Sequence, residues 1–276
     1  MIALIMASAW AQVDPACADV AAGDAPGWYV DDQHQQDFLL NFFALATTFS
    51  PIHAPIPNEP GHGDVGLEMS LIPPLSCDRR LVLSRTKTED TNKAPILPRP
   101  RGTFTFPAIG RFRIYGGAGY VPPVTVFGTR NVIASGEVGL GWESDTGWQL
   151  AGRYHWTLMK TIAEIAGPFD PATDPVVLDF FSGSTFGVDL MAGKRFEHVL
   201  PYVALGLTDA STFFYIGDDA VVSNNLTPYF GPVASLGVQG DVKRLVFAGE
   251  LYAAPNTFDA SLGHLYTARV RAGVSF

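Results

Sequence analysis

The last eleven residues, Tyr266-Thr-Ala-Arg-Val-Arg-Ala-Gly-Val-Ser-Phe276, change polarity at every second position. Tyr266, Ala268, Val270, Ala272, Val274 and Phe276 share one side, and Thr267, Arg269, Arg271, Gly273 and Ser275 share the other. Successive side chains of a strand point to opposite faces, so strict period two predicts a strand with one apolar face. Its length suits a tilted strand that crosses a bilayer.

The same alternation recurs upstream. It predicts strands over 110–120, 131–142, 147–158 and 185–196, with Phe112, Leu140, Tyr154 and Val188 among the apolar positions. Weaker patterns of the same kind cover 63–72, 79–87, 100–107, 200–213, 227–240 and 244–254. The connections alternate between tight turns, such as 107–110 and 143–146, and longer stretches rich in Pro, Asp, Asn and Thr, such as 159–182 and 255–264. Aromatic residues flank the tight turns: Phe106 and Phe112, Trp142 and Trp148, then Phe196 and the terminal Phe276. That is the placement of an interfacial aromatic girdle.

Composition agrees with this pattern. Of 276 residues 47% are hydrophobic and only 16% charged, against about 25% charged in soluble domains. This is too apolar for a disordered chain. Beyond the first dozen residues no apolar run reaches the roughly 18–20 residues of a membrane helix. With 18 Lys+Arg against 27 Asp+Glu and a net charge of −9, nucleic acid is excluded as a partner. A chain that is apolar overall but never for long is what alternation between lipid and lumen produces.

Ending on Phe276 at the close of such a strand, the chain resembles bacterial outer-membrane β-barrel proteins, a porin-like class with no particular family indicated. The resemblance implies an all-β, antiparallel, up-and-down transmembrane barrel in the bacterial outer membrane. It further implies contact with outer-membrane lipid and recognition of the last strand by the barrel-assembly machinery. Short turns are then periplasmic and the strand count is even. An even count requires one more strand before residue 63, and residues 38–50 are the candidate, giving about twelve strands. Phe38, Phe42, Leu45 and Phe49 also fit a helical period. In that alternative the segment plugs the barrel and the wall has ten strands.

The N-terminus reads as an exported leader over residues 1–11, with Ala9-Trp10-Ala11 at the cleavage position. Residues 12–37 are then a periplasmic segment and 38–276 the barrel. Cys17 and Cys77 are the only cysteines. Counting turns places both in the oxidising periplasm, where they either pair or stand as unrelated thiols.

Alternation turns Arg111, Arg113, Arg153, Arg195, Arg269 and Arg271 inward, together with Glu68, Glu137, Asp189, Glu250 and His155. Six arginines against four carboxylates make a mixed, slightly basic lining. It suits either a narrow channel or passive transporter for small solutes or ion pairs that fill a non-transporting barrel with a structural or surface-binding role. An outer-membrane lipid-modifying enzyme ranks behind both. His155 and Thr157 face inward without an assignable serine or acidic companion, so no catalytic residue is expected. His53 and His62 lie in a proline-rich stretch without cysteine partners, so neither a metal nor a cofactor is expected.

Overall fold

The computed structural model describes residues 41–73, 81–82, 87–89, 95–126, 129–163, 166–167, 179–216, 221–224, 229–255 and 264–276. In chain order the strands are β1 (Gly63–Leu71), β2 (Leu81–Val82), β3 (Lys87–Glu89), β4 (Ile96–Thr105), β5 (Phe112–Val126), β6 (Thr129–Glu143) and β7 (Trp148–Ala163). They continue with β8 (Ala166–Gly167), β9 (Asp179–Lys194), β10 (Val199–Ile216), β11 (Val221–Asn224), β12 (Tyr229–Val242), β13 (Leu245–Pro255) and β14 (His264–Ser275).

Ten of these form the wall. Each of β1, β4, β5, β6, β7, β9, β10, β12, β13 and β14 pairs with the next, and β14 closes on β1. Every pairing is antiparallel. At the seam Val65 pairs with Val274 and Glu68 with Arg271, and Phe276 exchanges backbone hydrogen bonds of 2.9 and 3.1 Å with Gly63. Closure leaves no free sheet edge, the condition for backbone in a membrane. The exterior is the apolar face read from the sequence: Val65, Leu67, Leu140, Leu190, Leu205, Leu251 and Val270 are all exposed there. Phe106, Phe112, Trp148, Phe196 and Phe276 ring the short-turn end. Lys194 lies at that level with its ammonium 5.2 Å from the Trp148 ring and 5.3 Å from that of Phe196, so its charge reaches the interface along its own stem.

The twelve-strand expectation gives way to ten in two places. The described part of 38–50 supplies no wall strand: 41–46 are helical, and the chain then continues inside the barrel without regular secondary structure. The Thr47 and Thr48 hydroxyls bond back to the Ala44 carbonyl at 3.0 and 3.3 Å, and Pro51 ends any continuation. Nor do the described residues of 79–87, which are 81–82 and 87, enter the wall. The short strands there, β2 and β3, form a separate three-stranded sheet with β8. β1 ends at Leu71 and β4 starts at Ile96, both at the long-loop end. Neither cysteine is among the described residues.

The wall strands also outrun their sequence bounds at the long-loop end. In the 121–130 stretch β5 runs on to Val126 and β6 starts at Thr129, paired with a register shift between Val121 and Val124 at Pro122-Pro123. β4 extends back to Ile96 through Pro98 and Pro100. Prolines within a strand argue against a sheet position from sequence alone, and this start hid Arg99.

Candidate functional site

The lumen is occupied by the protein's own residues 41–58, nearly all of them buried. They run from the long-loop end to the short-turn end in one pass. At the top, Tyr229 of β12 donates its backbone N–H to the Asn41 side chain at 3.1 Å. Phe42, Leu45 and Ala46 pack against Leu97, Val121, Ile133, Met159 and Leu265, the inward residues of the upper wall. At the bottom, the Asn58 amide donates to the Thr103 hydroxyl at 2.9 Å, and Gly61 N–H to the Thr105 carbonyl at 2.8 Å.

Between these ends no strand among the described residues pairs with the plug, and wall side chains satisfy its backbone. Five consecutive carbonyls each accept from an arginine. Arg269 reaches Ala46 and Thr48, Arg99 reaches Thr47 and Thr48, Arg153 reaches Phe49, and Arg101 reaches Ser50. Below them the plug offers alternate N–H groups. Ile52 donates to Glu250 at 2.8 Å, Ala54 to Gln239 at 2.9 Å and Ile56 to Gln149 at 3.2 Å. Ile52 has φ 42°, a strained conformation for a β-branched residue, and its bond to Glu250 holds the bend between Pro51 and His53.

The arginines are themselves anchored. Glu68 takes Arg99 at 2.5 Å and Arg101 at 3.3 Å. Glu137 is the hub of the middle layer, accepting from Arg101 at 2.8 Å, Arg153 at 2.5 Å and the plug's His53 at 3.2 Å. Arg153 also pairs with Asp189, and Arg271 with Asp64. The Phe49 ring lies among three guanidinium groups, with Arg101 3.8 Å from its centroid, a cation–π arrangement in a desolvated place. Gly119 makes room for it: a Cβ there would stand 2.9 Å from the ring. Gly141 does the same for Ile56.

Of the residues predicted to line the lumen, Glu68, Glu137, Arg153, His155, Asp189, Glu250, Arg269 and Arg271 are buried inside the barrel. Arg111, Arg113 and Arg195 lie at the short-turn end. Arg111 is exposed and pairs with Asp145 at 2.5 Å; Arg195 meets Asp241 at 3.5 Å; Arg113 bonds the Gly110 carbonyl at 2.7 Å. Sequence reasoning missed Asp64, Arg99 and Arg101, all buried in the lumen. With these included, the buried arginines and carboxylates among the described residues balance at five each, where alternation alone predicts an arginine excess. The period of β1 carries the signal for Asp64, which shares its face with Glu68. His155 lies across Gly187, 3.5 Å from Asp189. At 1% exposure it is buried in the wall of the lumen.

A closed antiparallel barrel with an apolar exterior, an aromatic ring and a polar interior is the architecture of bacterial outer-membrane β-barrel proteins, and this chain has that fold. No protein-family model matches it, and no curated protein matches it in sequence. Among solved structures it is similar to the translocator domain of the autotransporter NalP from Neisseria meningitidis. That match has 8% identity and a TM-score of 0.47, over 79% of this chain and 89% of that one. Ail, the attachment invasion locus protein of Yersinia pestis, matches at 12% identity and TM-score 0.35, over 79% and 99%. The toluene transporter TodX of Pseudomonas putida matches at 10% and 0.39, over 86% and 75%. At these scores the likeness is loose and says nothing of function.

Proposed function

We propose that this is an outer-membrane barrel closed by its own plug, a non-transporting wall protein whose working surfaces are its ends rather than its lumen. One observation carries the reading: residues 41–58 run buried through the lumen, and four of its five buried arginines donate to their carbonyls. A lining built to select a passing solute leaves its charges facing water. Here five arginines are bonded to carboxylates or to plug carbonyls.

The test is single-channel recording of the full chain in a planar bilayer. The reading predicts a barrel with heat-dependent electrophoretic mobility that inserts and yields no steps above background. Stable conductance steps from the intact chain would overturn it. A second reading, a gated passage for small solutes, draws on the polar character of the plug seat. Withdrawal of residues 41–58 would uncover a charged surface able to hold water. It predicts brief openings that become long when the plug's polar anchors are weakened.

A further inference from the structure

The outward face of β6, β7, β9 and β10 changes character towards the long loops. Nearer the short turns it presents Leu140, Tyr154, Leu190 and Leu205, all exposed. Towards the long loops the outward positions become Lys160 on β7, Ser182 and Ser184 on β9 and Ser211 on β10. The ladder brings these together, pairing Lys160 with Ser182 and Ser184 with both Leu158 and Ser211. Their short side chains leave a groove of about 530 Å³ on the outer surface, lined by Lys160, Leu158 and the three serines. That volume is in the range of small-molecule sites. Arg130, exposed on the same side of β6 two residues from Val132 of the lining, stands at its upper edge.

Depth and charge say what the groove takes. Lys160 is twelve residues along β7 from Trp148 of the short-turn aromatic ring, roughly 40 Å of strand. With the strands tilted by about 40°, that is about 30 Å along the membrane normal, just past an apolar band about 25 Å tall. Lipid headgroups lie at that level. The Lys160 ammonium is 4.8 Å from the Phe180 ring centroid, and neither it nor Arg130 has an ion-pair partner among the described residues. Asp209 is the one outward carboxylate of these four strands among the described side chains. It takes the Ser211 hydroxyl at 3.3 Å and pairs across to Phe186, four residues nearer the short turns than Ser182. The Ser184 hydroxyl makes only a long bond of 3.4 Å to the Ser211 carbonyl, which a better acceptor would replace.

We infer that this groove seats the headgroup of an outer-leaflet lipid that carries an exposed phosphate. Lys160 and Arg130 hold the phosphate by charge-assisted hydrogen bonds, the Ser182 and Ser184 hydroxyls donate to its oxygens, and Leu158 and Phe186 flank the acyl chains below. The outer leaflet follows from the short turns being periplasmic. The inference rests on the outward face and not on the closure of the lumen, so a conducting barrel would leave it standing.

The test titrates the purified full chain in detergent with three probes: dimyristoyl phosphatidic acid, dimyristoylglycerol with the same chains and no phosphate, and inorganic phosphate with no chains. Phosphatidic acid should saturate at one molecule per barrel, dimyristoylglycerol should bind roughly 30-fold more weakly, and inorganic phosphate should displace neither. Lys160→Gln combined with Arg130→Gln should weaken phosphatidic acid by the same roughly 30-fold, at about fivefold per cation. Lys194→Gln, at the opposite interface, should leave it unchanged. Ser184→Phe fills the groove with the charges kept and should weaken binding at least as far; it decides the matter if the double variant does not keep heat-dependent mobility. Equal binding of the two lipids, an effect of Lys194→Gln as large as that of the double variant, or unaltered binding by a folded Ser184→Phe barrel overturns the inference. Displacement by inorganic phosphate would make this a site for a soluble anion, and a dimer that Ser184→Phe dissociates would make it a contact between two copies; either result overturns the lipid assignment.

Discussion

Glu137→Gln tests whether the plug is held by the wall's charges. Arg101, Arg153 and His53 converge on this carboxylate at 2.8, 2.5 and 3.2 Å, all without solvent contact. Removing one partner of a buried ion pair costs about 3–5 kcal/mol, because the opposite charge stays buried and uncompensated. The amide keeps one acceptor oxygen and nearly the same volume. Arg101 retains Glu68 and Arg153 retains Asp189, so the lower end, about 3 kcal/mol, is the expected loss. The strand ladders do not depend on this group, so the loss falls on the seating of the plug. Arg101 and Arg153 are the donors to Ser50 and Phe49. At tenfold per 1.4 kcal/mol, the unseated population rises roughly 100-fold. Amide hydrogen exchange over residues 50–56 reads that population directly. The expected result is exchange about 100-fold faster there, with the amides of β6 and β7 unchanged. A folded Glu137→Gln protein whose plug exchanges at the original rate refutes the reasoning. Equal acceleration in plug and wall would show that the hub stabilises the barrel as a whole.

Two further outcomes follow from the packing. Gly119→Val puts a branched side chain where Phe49 and Arg99 already lie at 2.9 and 3.0 Å from an ideal Cβ. Overpacking of that kind costs roughly 1–3 kcal/mol, and the plug should become sensitive to protease at a lower temperature; an unaltered cleavage profile would contradict the seat described for Phe49. Leu190, on β9, is 75% exposed on the outer face and stands six residues before Phe196, or roughly 15 Å into an apolar band about 25 Å tall. Leu190→Arg should therefore cost roughly 2–4 kcal/mol of folding stability in lipid vesicles, measured by denaturant titration. A loss under half a kilocalorie would mean that this face does not meet lipid.

The wall was legible in the sequence because its two sides are in different solvents. In β14, Tyr266 to Phe276 alternate without exception, and register and facing follow from that period. The plug was harder to read. Phe38, Phe42, Leu45 and Phe49 fit a helix, while the need for an even strand count asked for a strand. In the structure 41–46 are helical, and Phe49 lies beyond the helix in a stretch without regular secondary structure. The partners that make such a stretch stable there, Arg99, Arg101, Arg153 and Arg269, lie 51 to 223 residues away in sequence. No local pattern reports such contacts. The apolar upper lumen left one trace, since Ile133 interrupts the polar face of β6 at the height where Phe42 and Leu45 dock. Arg99 was hidden by the two prolines beside it.

The central claim is that residues 41–58 lie inside the barrel, and the solvent access of Ala54 tests it most directly. Ala54 is fully buried in the lumen near its short-turn end, where it bonds Gln239 and packs with Ala151, Met191 and Leu200, and Ala54→Cys in a chain carrying Cys17→Ser and Cys77→Ser adds one sulfur atom at that point. A small water-soluble thiol reagent should leave this cysteine unmodified in the folded barrel and modify it completely after heat denaturation. A matched Thr146→Cys protein, with its thiol in an exposed turn, should react at once in both states. Reaction of the Ala54→Cys barrel at the rate of the turn cysteine would contradict the plug.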